Sequence, residues 1–346
     1  MDSLSQITLG AAIGVAVMGR RTATWKAALW GGVAGTLPDL DVFIDHGDPI
    51  LNMVLHRAET HAPFWLTLFS LPFAAMVAAV HGERDRWRRW WLALWLVLVT
   101  HPLLDAMTVY GTQLGLPWTD RPYGVGSIFI IDPLYTLPLL LGVLAALLAR
   151  GSRRGRAFNA AGLLLSCAYL AWGVAAQQHV ERIARVALDA QGIEAQRVLV
   201  TPTAFNTVLW RIVAMDAAGD YHEGYRSLLD EEPRIAFRRF DGGSALAPEL
   251  LDIDGVRRIV AFTGGFYKLD EEAGRLRVTD LRMGYEPYYS FSFVVAERHS
   301  ALRMLPKSLH ESERGDVRAM LSWTWRRLQG EALPPPSPTP GGAASR

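Results

Sequence analysis

The chain has 346 residues, 50% of them hydrophobic, and 35 Lys and Arg stand against 34 Asp and Glu for a formal net charge of +1. That balance argues against a nucleic-acid-binding protein, which usually shows a basic face. The single cysteine, Cys167, excludes an intramolecular disulfide and a cysteine-ligated zinc site, so any metal has to be held by His and carboxylates.

Long apolar runs fill residues 1–180, whereas 181–346 read as a soluble domain with a tail. Asp2 precedes the first run without a basic leader, so no cleavable signal peptide is expected. Residues 7–18 are rich in small side chains (Gly10, Ala11, Ala12, Gly14, Ala16), which let membrane helices approach closely. A second run, 27–37, follows Arg20, Arg21 and Lys26. Both are shorter than the ~20 residues of a full span. A re-entrant hairpin would place the basic link at membrane depth, at about 2.5–3.5 kcal/mol per charge. Two short spans, extended by 3–6 and 22–26, are therefore expected. Further runs cover 62–80, 90–104 behind Trp87, Trp90 and Trp91, 129–149 with Asp132 and two prolines inside it, and 157–176.

Arg20, Arg21 and Lys26, then Arg84, Arg86, Arg88 and Arg89, then Arg150, Arg153, Arg154 and Arg156 occupy alternate loops of such a chain. The positive-inside rule puts all three clusters in the cytoplasm, and the N-terminus, 38–61, 101–128 and 177–346 outside. Beyond 177, a short helix over 180–190 and strands over 208–215, 257–262, 276–278 and 290–295 are expected, separated by turn residues at 217–220 and 241–243. The Pro- and Gly-rich stretch 334–342 reads as a disordered tail. The expected fold class is a multi-pass α-helical membrane protein of about six spans with a C-terminal β-rich extracytoplasmic domain. Its divisions fall at 1–178, 179–330 and 331–346.

Three motifs close or open apolar runs on the expected outer face. Pro38 ends one run, and in an extended segment Asp39 and Asp41 would point the same way and repel unless a cation lay between them. They could equally be a polar turn with a helix-capping Asp. His56 and His61 are five apart, about 140° around a regular helix, and converge only if His56 lies in the loop before the helix; a solvated histidine pair is the plainer alternative. His101 and Asp105 share a helix face at i,i+4, although Pro102 biases His101 away from helical dihedrals. Asp105 could ligate directly or orient His101. Ionisable residues at membrane depth point to function. Together the motifs offer a nitrogen and oxygen donor set suited to zinc, or to a two-metal site with manganese or iron. Glu59 is the candidate general base, and Arg57 or Arg121 the candidate grip on an anionic group; an exposed Arg near headgroups can also be a simple anchor. His46, beside Asp45 and Asp48, is a reserve ligand.

The run Leu37-Pro38-Asp39-Leu40-Asp41, then His56-Arg57 with Thr60-His61, then Thr100-His101 through Asp105 with Thr108 and the 111–118 loop, resembles the YdjM-like family of membrane-bound metal-dependent hydrolases. The motif match covers about residues 1–140. In the soluble half, Phe205-Asn206, Trp210-Arg211, Gly265-Phe266-Tyr267 and Asp280–Gly284 are similar to longer members. The resemblance implies a multi-pass inner-membrane protein with metal ligands at Asp39, Asp41, His56, His61, His101 and Asp105. The chain departs from it at Gln6, where a His is frequent, and at Ala58, Glu59 and Ala62. The expected activity is hydrolysis of an ester or phosphoester, of a lipid or lipid-linked molecule, at the periplasmic face. The alternative is a non-catalytic metal-stabilised scaffold that binds an envelope partner. A transporter is disfavoured because the charges lie at span ends. Membrane lipids are the expected partners, nucleic acid is not, and no protein partner is indicated.

Overall fold

Asp2 opens the first helix: its carboxylate accepts from the Ser5 N–H at 3.1 Å, satisfying one of the donors a helix start leaves without a partner. The computed structural model describes residues 1–312 and 315–336; most of the expected tail lies outside the described residues. The chain divides into two compact units, one of Met1–Asp45, Leu55–Ala175 and Ala204–Asn206, the other of His46–Val54, Ala176–Thr203 and the chain from Thr207 on.

Each of the six apolar runs forms a helix, and a seventh, unexpected one sits between the second and third. The helices are α1 (Ser3–Met18), α2 (Thr24–Thr36), α3 (Pro49–Leu55), α4 (Pro63–Val80), α5 (Trp87–Ala106), α6 (Pro133–Leu148) and α7 (Arg153–Ala190). Two of them, α4 and α7, are long and apolar enough to cross a membrane, while α1 and α6 are shorter apolar helices. The chain is about half helical with a C-terminal β-sheet domain, and six crossings are a reading of the sequence.

In the first unit α1 and α2 pack backbone to backbone. A Cβ on Gly10 would come 2.2 Å from the Gly31 carbonyl oxygen, and one on Gly31 equally close to that of Gly10. Small residues four apart allow this approach. Asn159 of α7 donates to the Ala12 carbonyl at 2.9 Å, tying α7 to α1. The core between the helices holds Ala12, Val15, Met18, Ala74, Val77, Trp90, Leu94, Leu98 and Leu139.

Up-and-down connection sorts the loops by end. At one end Asp2 N–H meets the Ile130 carbonyl at 3.0 Å and Ser5 Oγ meets Thr136 Oγ1 at 2.5 Å. At the other, Lys26 pairs with Glu83 at 3.1 Å, Trp90 Nε1 donates to Glu83 at 2.9 Å, Arg86 donates to the Arg21 carbonyl, and Gly151 lies against Thr24. The three basic clusters thus share one end of this unit.

The second unit carries two four-stranded antiparallel sheets. The first has the order β1 (Ala195–Pro202), β2 (Leu209–Asp216), β3 (Tyr221–Ser227), β4 (Arg238–Phe240). After α8 (Ala247–Leu250) and α9 (Asp254–Phe262) come β5 (Tyr267–Glu272), β6 (Arg275–Asp280), the small ribbon β7 (Gly284–Tyr285) and β8 (Tyr288–Tyr289), then β9 (Ser292–Arg298) and β10 (Leu302–His310). These last build the second sheet in the order β10-β9-β6-β5. Helix α10 (Val317–Leu328) follows, capped by Asp316. Ala176, Val180, Ala184 and Ala187 of α7 pack on Val200, Trp210 and Ile212.

The strands expected at 208–215, 276–278 and 290–295 correspond to β2, β6 and β9, and the helix expected at 180–190 is the end of α7. The strand expected at 257–262 is a correction: it is helix α9. Val256, Ile259 and Phe262 are buried at a three-residue spacing that fits one helix face, and Asp254 pairs with Arg257 and Arg258 one turn on. Its β-branched content pointed the other way.

Candidate metal centre

Three chain segments of the first unit bring their polar side chains to one point. The stretch after α2 is a 3₁₀ turn, Pro38–Phe43, rather than the extended segment expected, with Pro38 at its first position. Asp39 and Asp41 lie on this turn. Glu59–His61 is a second 3₁₀ turn that delivers His61 just ahead of Pro63, the first residue of α4. His101 is fully helical: α5 runs through Pro102 to Ala106, so His101 and Asp105 sit one above the other on its buried face.

Asp39, His61, His101 and Asp105 each present one donor atom, all within 4.8 Å of one another. His61 Nε2 is 3.2 Å from His101 Nε2 and 3.3 Å from Asp105 Oδ2. His101 Nε2 is also 3.3 Å from Asp105 Oδ2, and Asp39 Oδ1 lies 3.5 Å from His61 and 3.4 Å from His101. A tetrahedron with bonds of about 2.0–2.1 Å, the zinc–nitrogen and zinc–oxygen range, has edges of about 3.3–3.4 Å. Five of the six separations therefore match the edges of such a tetrahedron, and the sixth, between Asp39 and Asp105, is within 4.8 Å.

The hydrogen bonds behind the imidazoles show which nitrogen is free. His101 Nδ1 is 2.8 Å from the Gly35 carbonyl oxygen, which can only accept, so Nδ1 carries the proton. Thr60 Oγ1 donates to Asp41 Oδ2 at 2.8 Å and so accepts from His61 Nδ1 at 2.9 Å. Both rings then turn a lone pair inward at Nε2, the arrangement in which a carbonyl or hydroxyl orients a metal-binding histidine. Asp105 Oδ2 is buried and has no hydrogen-bond partner among the described residues. Two imidazole nitrogens and two carboxylate oxygens facing one another repel unless a proton or a metal cation sits among them. The residues fit a divalent ion.

The electrostatics agree. Burial pulls the His61 pKa down, but Asp105, Asp39 and Asp41 outweigh it and raise it to about 9. Burial pushes the Asp39 carboxyl up, and the imidazoles of His101 and His61 more than reverse this, holding it well below the usual carboxylate range. Asp41 is likewise held low against burial by His56, His61 and the Arg57 N–H. The pull that charges His61 is the pull a cation would feel.

Of the other residues singled out from the sequence, His56 and Asp41 form a flanking pair, Nδ1 to Oδ1 3.0 Å, one step out from the four donors. Arg57 is buried, with Nη2 3.4 Å from Asp105 Oδ1, Nη1 3.3 Å from Thr108 Oγ1, and its guanidinium over the Tyr110 ring. Glu59 is exposed. Arg121 is exposed too and stacks over Tyr123 at 5.7 Å. His46 belongs to the second unit. Gln6 is 1% exposed and donates Nε2 to Asp105 Oδ1 at 3.1 Å and to the His101 carbonyl at 3.2 Å. The Met1 amino group also donates to Asp105 Oδ1. Thr60 stands in the motif that carries the resemblance and here gains a role behind His61, whereas nothing in the sequence marks the Gly35 carbonyl on α2.

The family described as YdjM inner membrane protein matches residues 1–180, which carries the whole donor set. The chain is also 23% identical over 312 residues to YfhP of Bacillus subtilis (strain 168), covering 86% of this chain and 92% of that protein, which is described as uncharacterized. No solved structure gives a significant match.

Proposed function

Because the chain belongs to the YdjM inner membrane protein family, we propose that it is a multi-pass inner-membrane protein that hydrolyses an ester or phosphoester at a divalent-metal centre on the outer, periplasmic face. The observation that carries the metal part is the convergence of Asp39 Oδ1, His61 Nε2, His101 Nε2 and Asp105 Oδ2, five of whose six separations are 3.2–3.5 Å and all of which lie within 4.8 Å. An ion there, zinc by its donor set and spacing, supplies Lewis acidity to a substrate oxygen and acidity to a water. The Asp39 side chain is 19% exposed, against 0–1% for the other three, so approach to the centre is from the Asp39 side. In this reading exposed Glu59 accepts the proton of the attacking water, and Arg121 meets an anionic group of the substrate. Lipid or lipid-linked esters are the substrate class, because the donors lie at the ends of apolar helices where headgroups would be. The gathering of the basic loops at the opposite end of the unit supports the same orientation.

One observation favours a second reading. Four protein donors would already fill a four-coordinate site, which is the habit of structural sites, whereas catalytic zinc keeps a position open. A metal-stabilised scaffold is that reading. The purified full-length protein decides between them in two steps. Metal content is compared with His61→Ala and Asp39→Ala; unchanged metal in both variants sinks the centre. Release of phosphate or fatty acid from membrane lipid extracts by the metal-loaded wild type, lost in His61→Ala, supports the hydrolase, and no release supports the scaffold. A reporter fused after Arg346 that is active only in the cytoplasm would overturn the orientation.

A further inference from the structure

The two oxygens of Asp105 live in different surroundings. Oδ2 faces the Nε2 atoms of His61 and His101 at 3.3 Å each and has no hydrogen-bond donor. Oδ1 points the other way, where the Met1 amino group donates, Gln6 Nε2 donates at 3.1 Å and Arg57 Nη2 lies at 3.4 Å. We infer that Gln6 and Arg57, beside the Met1 amino group, hold Asp105 as a one-oxygen ligand, and so keep the centre four-coordinate and selective for a tetrahedral ion such as zinc over a six-coordinate ion such as manganese. This rests on the metal reading above and adds the residues that set which metal it takes.

Both clamps are themselves fixed. The Gln6 amide also donates to the His101 carbonyl at 3.2 Å, so it grips α5 at both ligand positions. The opposite amide orientation would set Oε1 against two acceptors, a carbonyl and a carboxylate. Arg57 is 5% exposed and has a backbone φ of 64°, in the left-handed region a non-glycine residue seldom adopts. Its N–H donates to Asp41 Oδ2 at 2.9 Å while its guanidinium lies against Asp105, so one residue ties both carboxylates. A guanidinium spent on Asp105, Thr108 and Tyr110 is a positioning group, and a substrate anion has to be met elsewhere. A carboxylate freed of its Oδ1 donors can turn and offer both oxygens, which raises the coordination number and suits ions that prefer six oxygen-rich ligands.

The test uses the detergent-purified full-length protein loaded with Co(II), whose visible absorption is strong in tetrahedral and weak in octahedral sites. Wild type should show the strong band and prefer zinc to manganese in competition dialysis. Gln6→Leu should weaken the band and lower that preference, with zinc affinity itself falling about 10–100-fold, the usual cost of losing a ligand's hydrogen-bond partner. Arg57→Lys, which keeps the buried charge, should move both readouts the same way and serves if Gln6→Leu does not fold. Both variants retaining the wild-type band and preference would overturn the clamp and leave the metal centre standing. A wild type that takes up neither cobalt nor zinc overturns both.

Discussion

His61 Nε2 and His101 Nε2 lie 3.2 Å apart although both rings carry their proton on the far side, at Nδ1, toward Thr60 and Gly35. Two bare Nε2 lone pairs would repel, so the pair needs a positive charge between them: a second proton on His61, whose pKa is raised to about 9, or a metal ion in that proton's place, for which Asp39 and Asp105 complete the donor set.

Thr60 should therefore matter to metal binding without touching the metal. Thr60→Val removes the acceptor that fixes the His61 ring and the hydroxyl bonded to Asp41. Zinc affinity should fall by about 10–100-fold. Titration of the purified variant against a chelating indicator checks this, and wild-type affinity would show that the hydroxyl does not orient the ring.

The α1–α2 contact tolerates no side chain at its closest point. Gly31→Val places a Cβ 2.2 Å from the Gly10 carbonyl, and overpacking of this kind costs about 1–3 kcal/mol or more. Gly32→Ala meets Ile7 Cγ2 at 3.3 Å, a side-chain end that can yield, and the Ile7 carbonyl oxygen at an ordinary 3.7 Å. Thermal denaturation in detergent should show a clear drop for the first and little change for the second. Because Gly35 follows on the same helix, Gly31→Val should also weaken metal binding.

In the sheet domain Arg211 and Glu223 form a buried pair, with Arg211 Nη2 2.5 Å and Nε 3.0 Å from Glu223 Oε2. Tyr225 donates to the other oxygen at 2.6 Å. Arg211→Met strands a buried carboxylate and should destabilise the domain by about 3–5 kcal/mol. The double change Arg211→Met with Glu223→Gln should recover part of that. Hydrogen exchange across β2 and β3 in the full-length protein measures both, and equal exchange in the single and double variants would contradict a charge origin.

Acid should release α3 from the sheet domain. Burial pushes the Asp48 carboxyl up, but the Ser308 N–H at 2.8 Å, the Ser308 hydroxyl at 2.9 Å and the N–H groups of Ile50 and Leu51 outweigh it and hold it below its ordinary value of 3.8. The folded protein thus prefers the charged form. That contribution is fully present above about pH 4 and fades as pH falls through the lowered value. Exchange protection of Ile50 and Ser308, corrected for intrinsic rates, should decline below pH 4 in the wild type. In Asp48→Asn it should be low already at pH 6 and change little with acid.

Much of the helical half could be read directly. The runs around 7–18, 27–37, 62–80, 90–104, 129–149 and 157–176 became α1, α2 and α4 to α7, because a long apolar stretch bounded by charge or Pro has few ways to satisfy its backbone. Helix α3, at Pro49–Leu55, leaves no mark in the sequence, because seven residues are too few for a periodic signal. The second half was harder. Residues 257–262 look like a strand by composition, yet α9 forms because its apolar side chains recur every third residue and its acid precedes two arginines.

The sequence by itself determined the donor chemistry. With one cysteine and His and Asp at the ends of apolar runs, a nitrogen and oxygen site was the only metal site on offer, and the histidine and carboxylate positions were visible as motifs. Only the tertiary structure decided which of them meet. It set Asp39, His61, His101 and Asp105 at ligand spacing and left Asp41 and His56 one step out. It turned Arg57 onto Asp105 and gave Gln6 a donor's role. Those assignments depend on where 3₁₀ turns aim a side chain and on which backbone carbonyl of another helix lies behind an imidazole. Both are set by the packing of α1, α2 and α5, and local sequence carries no record of them.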